Sequence, residues 1–496
     1  MAVAAPNERA QPASGPAVAR AAFSWHWILL PLAVGATLAL QLTTVRYYFY
    51  FDDYVPFAEI ATQSRWDYVG HLLTSTDLTP NWRPLPGLLY LASYDIAGMD
   101  PLPVRLVMLA MHAGTAALLY YAIWRTTARA WAACFGALVF GLNPAYVGAL
   151  SQVTTATQVM AGFFLVATLV AVLECARAED RRASRAWLGA SILLYVLTIG
   201  SHEGTAIMFP VFGLAHLTFD PDPDRRFWRS ALRTAPLAFV ALATAVSFEA
   251  CGCNEGSEVW GTGYVWRQTL IYLGRLLYPV GLELPTDVNA PHAVGAFVLV
   301  AIMVAASAWG PKIARVGSLW ALLAVAPHVF IEYFTASRYL YLPAPGLAML
   351  YAAAAIAVAD RAMRIDRRVL AASGATLCAA LFAWYAYQTV RQDEHFADAT
   401  ADWRAYHDDV TRLWPELPPG THVVTIGGPF QKYEYQLYIL PAFAETTWGE
   451  GVMLQDYEPG SLPAQLALVS GSPYVAEYHD GELVLVFDGD LGDDGR

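Results

Sequence analysis

The sequence is poor in charge. Of its 496 residues only 15% are Asp, Glu, Lys or Arg, whereas 56% are hydrophobic. A soluble domain carries about 25% charged and roughly 45–50% apolar residues, so this composition excludes an ordinary soluble protein. The formal net charge is −12. The chain therefore lacks the basic balance of nucleic-acid-binding proteins, and we expect no nucleic-acid partner.

Several catalytic signatures are also missing. The sequence contains no phosphate-binding Walker loop, no dinucleotide-binding glycine pattern, no His-Glu-x-x-His pair and no Gly-x-Ser-x-Gly elbow. ATP-driven transport and zinc proteolysis lose support accordingly. Charged residues are also scarce in the middle of the apolar runs, which weakens ion-coupled transport.

Cysteine is scarce, with five residues in the chain. Cys134, Cys175 and Cys378 fall in or beside apolar runs and are typical of packing residues. Cys251 and Cys253 share a loop, where both a strained disulfide and two free thiols stay open. This loop has too few further ligands for a metal site.

Long apolar runs are what the sequence has in abundance. A membrane-spanning helix needs about 20 predominantly apolar residues, and we count 11 runs near that length. The predicted fold class is therefore an α-helical polytopic membrane protein with 11 transmembrane helices and a small C-terminal α/β domain. The predicted spans are Trp27–Val45, Val104–Ile123, Trp131–Leu150, Val153–Leu173, Trp187–Ile199, Thr205–Phe219, Ala231–Phe248, Ala293–Trp309, Val316–Phe334, Leu340–Val358 and Val369–Val390.

The two ends of the chain are predicted to lie outside this transmembrane domain of residues 23–390. Residues 1–22 are rich in Ala and Pro, and we expect a disordered N-terminus. The apolar run behind them is too long for a signal-peptide core and is interpreted as a retained first span. Residues 391–496 hold 19 acidic and 5 basic residues, which indicates a separate acidic, soluble module.

The distribution of Lys and Arg between the loops predicts the orientation of the chain in the membrane. With a cytoplasmic N-terminus, the inside loops hold 16 Lys and Arg residues and the outside loops hold 7. Cytoplasmic loops carry the excess of positive charge, so the first long loop, residues 46–103, and the C-terminal module are predicted to be extracytoplasmic. Tyr264–Leu284 is apolar but contains Arg267 and Arg275. We interpret it as an interfacial helix, with aromatic side chains at headgroup depth at Trp266, Tyr272 and Tyr278.

Both extracytoplasmic regions are predicted to be ordered. In the first loop, apolar spacing predicts one interfacial helix around Ala58–Leu73 and a second at Leu88–Ala97, joined by the proline-rich elbow Thr79–Pro86. In the C-terminal module we predict two helices, one strand and a hairpin with an Asp-Gly turn. Their ranges are Phe396–Leu413 and Gln431–Phe443 for the helices, Thr421–Ile426 for the strand, and Tyr474–Tyr478 with Leu483–Phe487 for the hairpin.

The first candidate site is the acidic pair Asp52-Asp53, directly after the first span. Charged groups beside hydrocarbon are costly and are often functional. A partly desolvated carboxylate holds a proton more tightly and is a better general base. The alternative is a water-facing helix end with two solvated acids.

Three further candidates lie on the same predicted face. Arg83 is held in a proline elbow beside Trp82 and could bind a phosphate, or it could simply reach the interface. His202-Glu203 could orient a phosphate or a sugar hydroxyl, or cap two helices. Arg338, flanked by aromatic residues, suits a lipid phosphate or a headgroup anchor. His112, inside the second span, is more typical of a satisfied core residue, and Glu332 is ambiguous.

These residues, taken in their order along the chain, resemble the motifs of the GT-C superfamily of membrane glycosyltransferases, which includes protein O-mannosyltransferases and lipid A aminoarabinose transferases. Asp52-Asp-Tyr-Val-Pro-Phe-Ala-Glu-Ile-Ala61 resembles their Asp-Glu-x-x-Tyr-Ala-Glu-Ile motif, with Asp52 on the catalytic acid. Within this superfamily, the sequence is more similar to the tetratricopeptide-linked mannosyltransferases than to the other members. The further motifs that carry this resemblance are Trp82-Arg83-Pro84-Leu85, His112, Gly141-Leu142-Asn143-Pro144, His202-Glu203 and Ser337-Arg338-Tyr339-Leu340-Tyr341-Leu342-Pro343.

The sequence also departs from that branch. Gly148 stands where Glu is frequent, Gln152–Gln158 lacks an Arg, and His202 and Ser337 replace Lys and Glu. The chain has no tetratricopeptide repeats, and the acidic C-terminal module takes their place.

The resemblance implies an inverting sugar transfer from a polyprenyl-phosphate donor to an extracytoplasmic glycan, lipid or protein, in a bacterial inner membrane. Asp52 or Asp53 would be the base. The implied substrate-binding residues are Trp82, Arg83, His202, Glu203, Arg338, Tyr339 and Tyr341. Some relatives use Mg²⁺ or Mn²⁺, for which Asp52, Asp53 and Glu203 could supply oxygen ligands.

Two other interpretations stay open at this stage. One is a lipid-linked glycan transporter or assembly scaffold, although the spans are too apolar for a polar lateral groove. The other is a glycan polymerase or ligase, which relies on Arg and His in a late outside loop, whereas here the acids lie in an early one.

Overall fold

The computed structural model describes residues 16–74, 82–222, 224, 226–250, 262–279, 288–330, 336–362, 367–428, 439–461, 463–464, 474–479 and 482–488. The predictions for Cys251, Cys253 and Glu332, and for most of the tract 1–22, lie outside these residues. Helix dominates the described chain, as predicted, and a small sheet lies near its C-terminal end.

The helices follow the apolar runs in order. They are α1 (Pro16–Gln41), α2 (Val55–Thr62), α3 (Arg65–Thr74), α4 (Pro84–Ala97), α5 (Leu102–Thr127), α6 (Ala130–Gly141), α7 (Gly148–Ser151), α8 (Ala156–Arg177), α9 (Arg181–Ile199), α10 (Phe209–Phe219), α11 (Arg226–Ala250), α12 (Thr262–Leu277), α13 (Ala290–Trp309), α14 (Ile313–Val325), α15 (Ala344–Ala362), α16 (Arg367–Leu413) and α17 (Leu440–Trp448).

Six helical stretches in the described residues are long and apolar enough to cross a membrane, so the chain is an integral membrane protein. They are Trp25–Arg46, Leu102–Thr127, Ala156–Arg177, Arg226–Ser247, Ala290–Trp309 and Ile313–Phe330. Large apolar side chains on these and neighbouring helices point outward: Phe239 is 70% exposed, Phe297 68% and Leu377 71%. Such surfaces are unfavourable in water and suit lipid. The count of 11 spans stays a prediction.

Two predicted boundaries differ from the structure. Helix α1 begins at Pro16, so the end of the predicted N-terminal tract, residues 16–22, is helical. The described residues of the first loop form three α-helices rather than two, because the helix is interrupted between Thr62 and Arg65, which separates α2 from α3. Helix α4 begins at Pro84, where proline is tolerated because the first turn needs no N–H donor.

Helix α12 overlaps the predicted interfacial helix, but part of it is buried within the protein. Tyr272 and Arg275 are buried within the protein, whereas Trp266 is 68% exposed. The helix packs on α13, where an added Cβ at Gly274 would lie 2.1 Å from the carbonyl oxygen of His292. Glycine therefore permits this close approach of the two helices.

The C-terminal sheet contains β1 (His422–Ile426), β2 (Met453–Tyr457), β3 (Tyr474–His479) and β4 (Glu482–Asp488) in the order β2-β1-β3-β4. Strand β1 runs parallel to β2 and β3, and β3 pairs antiparallel with β4. The predicted strand and hairpin are confirmed. The predicted start of the module at residue 391 falls inside α16, which continues without a break to Leu413.

The segment that carries the acidic pair packs against α16 and the C-terminal module. Tyr54, directly after Asp53, is fully buried and lies 5.2 Å from the ring of Trp403 and 5.1 Å from that of Phe443. The ring of Tyr50 meets Phe396 edge-on at 5.9 Å. The hydroxyl of Tyr47 donates to Asp393. The C-terminal module is therefore part of the core behind the acidic pair.

Phe443→Ala tests this packing. The side chain is fully buried beside Tyr54, so its loss should lower the free energy of unfolding by about 3–5 kcal/mol. Met453→Ala is the control, since Met453 is 56% exposed in the same module and should change little. Equilibrium unfolding in detergent measures both values. Equally small changes in the free energy of unfolding for the two variants would contradict a core shared by the C-terminal module and the segment that carries the acidic pair.

Candidate active site

Loops from one end of the helix bundle surround a polar cavity of about 390 Å³. They follow α1, precede α4, precede α8, follow α9 and connect α14 to α15. The cavity is lined by Asp52, Arg83, Thr154, Thr155, Thr157, Gln158, His202, Glu203, Gly204, Pro327, His328, Arg338 and Tyr339. Residues far apart in sequence thus meet where the spans end.

Asp53 ties two of these loops together and does not face the cavity. Its carboxylate is fully buried and accepts from the backbone N–H of Tyr50 at 3.0 Å and of Thr154 at 2.8 Å. Burial raises the pKa of Asp53 to about 6, with Arg105 opposing the rise and Asp52 adding to it. Phe51, just before the pair, has a φ of 57°, a left-handed conformation that is strained for this residue.

Asp52 is the acid of the pair that lines the cavity. Its Oδ1 accepts from the hydroxyl of Thr154 at 3.0 Å, and its Oδ2 lies 3.9 Å from Nη1 of Arg338. The Asp52 side chain is 28% exposed, so solvent and ligand can reach it. Arg338 also donates to Oε1 of Gln152 at 2.7 Å, which fixes the guanidinium beside the carboxylate.

Arg83 and Glu203 form a second, bidentate pair. Nε and Nη2 of Arg83 donate to the two carboxylate oxygens of Glu203, each at 2.7 Å. The two loops meet because the backbone N–H of Leu85 donates to the carbonyl of Gly200 at 3.1 Å. Burial opposes ionisation of Glu203, but the facing Arg83 and its hydrogen bonds hold the pKa of the carboxyl at about 2. Both partners are therefore charged at neutral pH.

Three rings form one wall of the cavity. His328 stacks on Tyr339 with centroids 4.4 Å apart, and His202 meets His328 edge-on at 5.8 Å. Burial and the Arg83 charge lower the pKa of His202 to about 4, so its imidazole is neutral. Its Nδ1 accepts from the N–H of Gly204 at 3.3 Å, which places the ring proton on Nε2. This wall offers neutral polar edges and aromatic faces.

The structure brings together most of the residues selected from the sequence. Asp52, Arg83, His202, Glu203, Arg338 and Tyr339 line one cavity. Tyr341 lies elsewhere: it is fully buried, and its hydroxyl lies 3.1 Å from Nδ1 of His112. His112 is itself a satisfied core residue, since its Nε2 lies 3.4 Å from the carbonyl of Gly141. Trp82 packs against the core and does not line the cavity.

The sequence interpretation missed several polar residues of the cavity: Thr154, Thr155, Thr157, Gln158 and His328. Four of them belong to the polar run Gln152–Gln158, which follows α7 and includes the first turn of α8. Polar residues interrupting two apolar runs at one membrane face are the signal that could have identified them. The fifth, His328, stands next to a proline near the end of an apolar run.

A cation site formed by Asp52, Asp53 and Glu203 does not fit this geometry. Both oxygens of Glu203 face Arg83, and those of Asp53 accept from backbone N–H groups. Within the described residues, no group of three His, Cys, Asp or Glu side chains is arranged to hold a metal ion. Acids that already face cationic or N–H donors are poor ligands for Mg²⁺ or Mn²⁺.

The fold and the cavity define the class of this protein: a polytopic helical membrane protein whose loops gather two acid–arginine pairs at one end of the spans. No protein-family model and no curated protein sequence matches the chain.

Solved structures similar to this chain include two of ArnT from Cupriavidus metallidurans. The apo form shares 14% identity at a TM-score of 0.49, over 93% of this chain and 94% of that one. The form bound to undecaprenyl phosphate shares 13% identity at 0.48, over 90% and 89%. The Archaeoglobus fulgidus oligosaccharyltransferase tethered with an acceptor peptide also shares 13% at 0.48, over 91% and 66%.

Glu203→Gln tests the bidentate pair. The change keeps the side-chain shape but removes the carboxylate charge that faces Arg83, which is 24% exposed, so the free energy of unfolding should fall by about 3 kcal/mol. Asp95→Asn is the matched control: the Arg65–Asp95 pair is 46% exposed on both sides, and its loss should cost less than about 1 kcal/mol.

Equilibrium unfolding in detergent reports both values. Adding Arg83→Gln to Glu203→Gln should recover part of the loss, since it also removes the guanidinium charge that faced Glu203. An additive double variant would show that the pair is not coupled.

Proposed function

We propose that this protein is a membrane glycosyltransferase of the GT-C type, which transfers a sugar from a polyprenyl-phosphate donor to an acceptor hydroxyl. The observation that carries the proposal is the placement of Asp52. It is a solvent-accessible carboxylate held from one side by Thr154, with the partly buried Arg338 3.9 Å from its other oxygen. A base beside a fixed cation suits a reaction that removes a proton and releases an anion.

In this mechanism Oδ2 of Asp52 is the general base. It takes the proton of the acceptor hydroxyl as that oxygen attacks the anomeric carbon of the donor. The bond between the anomeric carbon and the phosphate oxygen breaks, and its electron pair leaves with polyprenyl phosphate. Attack opposite the leaving group inverts the anomeric configuration. The steps balance with one proton on Asp52 and one phosphate anion released.

Arg338 is the group that stabilises the leaving phosphate. Burial opposes its charge, but Asp52 and Tyr339 raise the pKa of Arg338 above its ordinary value, so it stays cationic. Gln152 fixes its direction at 2.7 Å. A cation held in place before the reaction stabilises developing charge at little reorganisation cost.

The charge balance of the cavity favours a donor with one phosphate. Arg83 faces Glu203 and Arg338 faces Asp52, so the four ionic side chains that line the cavity in the described part of the chain sum to zero. His202 is neutral and adds nothing. A phosphodiester adds one negative charge to this set, whereas a diphosphate adds two, which a balanced cavity accommodates less easily.

The localisation follows the same proposal. The positive charges predict a cytoplasmic N-terminus, an extracytoplasmic cavity and an extracytoplasmic C-terminal module in a bacterial inner membrane. The acceptor would be a glycan, lipid or protein on that side.

Asp52→Asn tests the base. The variant keeps the shape of the side chain and should fold, but transfer in membranes supplied with a polyprenyl-phosphate sugar should fall about 10²–10⁴-fold in kcat. Asp67→Asn, an exposed acid on α3, is the control and should retain full transfer. Asp53→Asn should instead unfold more easily, because Asp53 binds backbone N–H groups. Full transfer by Asp52→Asn would refute the role of Asp52 as general base. If the Asp52→Asn variant still supports glycan export without sugar transfer, the protein is better described as a transporter.

Thr154 is predicted to position the base. Its hydroxyl lies 3.0 Å from Oδ1 of Asp52 and 3.0 Å from Oδ1 of Asp53, while its N–H serves Asp53. Thr154→Val removes the hydroxyl and should lower kcat about tenfold with little change in KM. Thr154→Ser keeps the hydroxyl and should restore most of the rate. A rise in KM alone would mean that Thr154 contacts substrate instead.

A further inference from the structure

A second cavity, of about 360 Å³, lies where the acid-bearing segment meets α16. Residues 43–48 form one side of it, and residues 390–404 form the other. It is similar in size to the candidate active site but shares none of its lining residues. The proposed transfer reaction does not use it.

The charges in this cavity are of both signs. Arg46 and Arg404 line it together with Asp393 and Glu394. Within the described part of the chain, the ion pairs are made by other side chains. Asp393 accepts from the hydroxyl of Tyr47, and the guanidinium of Arg404 lies 5.8 Å from the ring centroid of Tyr48. Two cations and two carboxylates thus face one space without neutralising one another.

The cavity also lies at a membrane boundary. Arg46 is the last residue of the apolar stretch Trp25–Arg46. Val390, on the opposite wall, is the last apolar residue of α16 before Arg391 and the acidic stretch that follows. Tyr47 and Tyr48 stand at the same level, as aromatic residues do beside lipid headgroups. A ligand in this cavity would therefore lie at the depth of the phospholipid headgroups.

We propose that this cavity binds the headgroup of a zwitterionic phospholipid that carries a primary amine. The phosphate lies against Arg46 and Arg404, since guanidinium groups bind phosphate oxygens with paired hydrogen bonds. The ammonium lies against Asp393 and Glu394, which accept its three N–H donors. An anionic lipid without an amine can bind the two arginines through its phosphate but offers no cation to the two carboxylates. The site binds a membrane component at the joint between the acid-bearing segment and α16.

The test uses the full-length protein in detergent, without reference to activity. Short-chain phosphatidylethanolamine should raise the unfolding temperature by about 2 °C or more, whereas short-chain phosphatidylglycerol should raise it less. Arg404→Gln and Glu394→Gln should each abolish the phosphatidylethanolamine shift. Arg391→Gln is the matched control, an exposed arginine of α16 outside the cavity lining, and should keep the shift.

Several outcomes would overturn the proposal. Equal shifts with the two lipids would remove the role of the amine. An undiminished shift in Glu394→Gln would remove the role of the carboxylate, and this exposed position keeps the test available should Arg404→Gln fail to fold. A full shift with free phosphoethanolamine, and no more with the lipid, would assign the site to a soluble ligand rather than to the membrane.

Discussion

One buried carboxylate holds the cavity together. Asp53 accepts N–H groups from Tyr50 and from Thr154, and so joins the segment after α1 to the loop before α8. A buried charge is tolerated only where donors satisfy it, and here the donors are backbone groups of two separate loops. Arg105 reinforces the same junction, donating to the carbonyls of Tyr48 and Ser151. Asp52 owes its position to this junction.

The arrangement of the other charged residues in the site is explained by the cost of leaving a charge unbalanced in a partly buried cavity. Each arginine that lines the cavity faces a carboxylate, and the bidentate Arg83–Glu203 contact joins the loop before α4 to the loop after α9. These pairs are structural ties as well as chemical groups. The two adjacent acids consequently differ in role: the buried one connects loops, and the exposed one faces the ligand space.

Sequence patterns predicted the helical class, the strands β1, β3 and β4 and the charged residues that line the cavity, because charge beside apolar runs is costly wherever it occurs. They could not separate Asp52 from Asp53, since burial and hydrogen bonds distinguish two identical side chains only after folding. Thr154 and Gln152 are common residues whose role comes from contacts across more than 100 positions of the chain. Tyr341 and Tyr272 were misplaced because aromatic residues suit both an interface and a packed core.

The unbroken helix α16 limits how this protein can change in evolution. Its 47 residues span roughly 70 Å at 1.5 Å per residue. They run from the apolar bundle, past Tyr47 and Tyr50, into the packing around Trp403. Insertion of a single residue within it would turn everything beyond by about 100°. The loops and edges of the C-terminal module can thus diverge. Its orientation about the axis of α16 is instead fixed by the length of the helix and can change only together with the helix bundle.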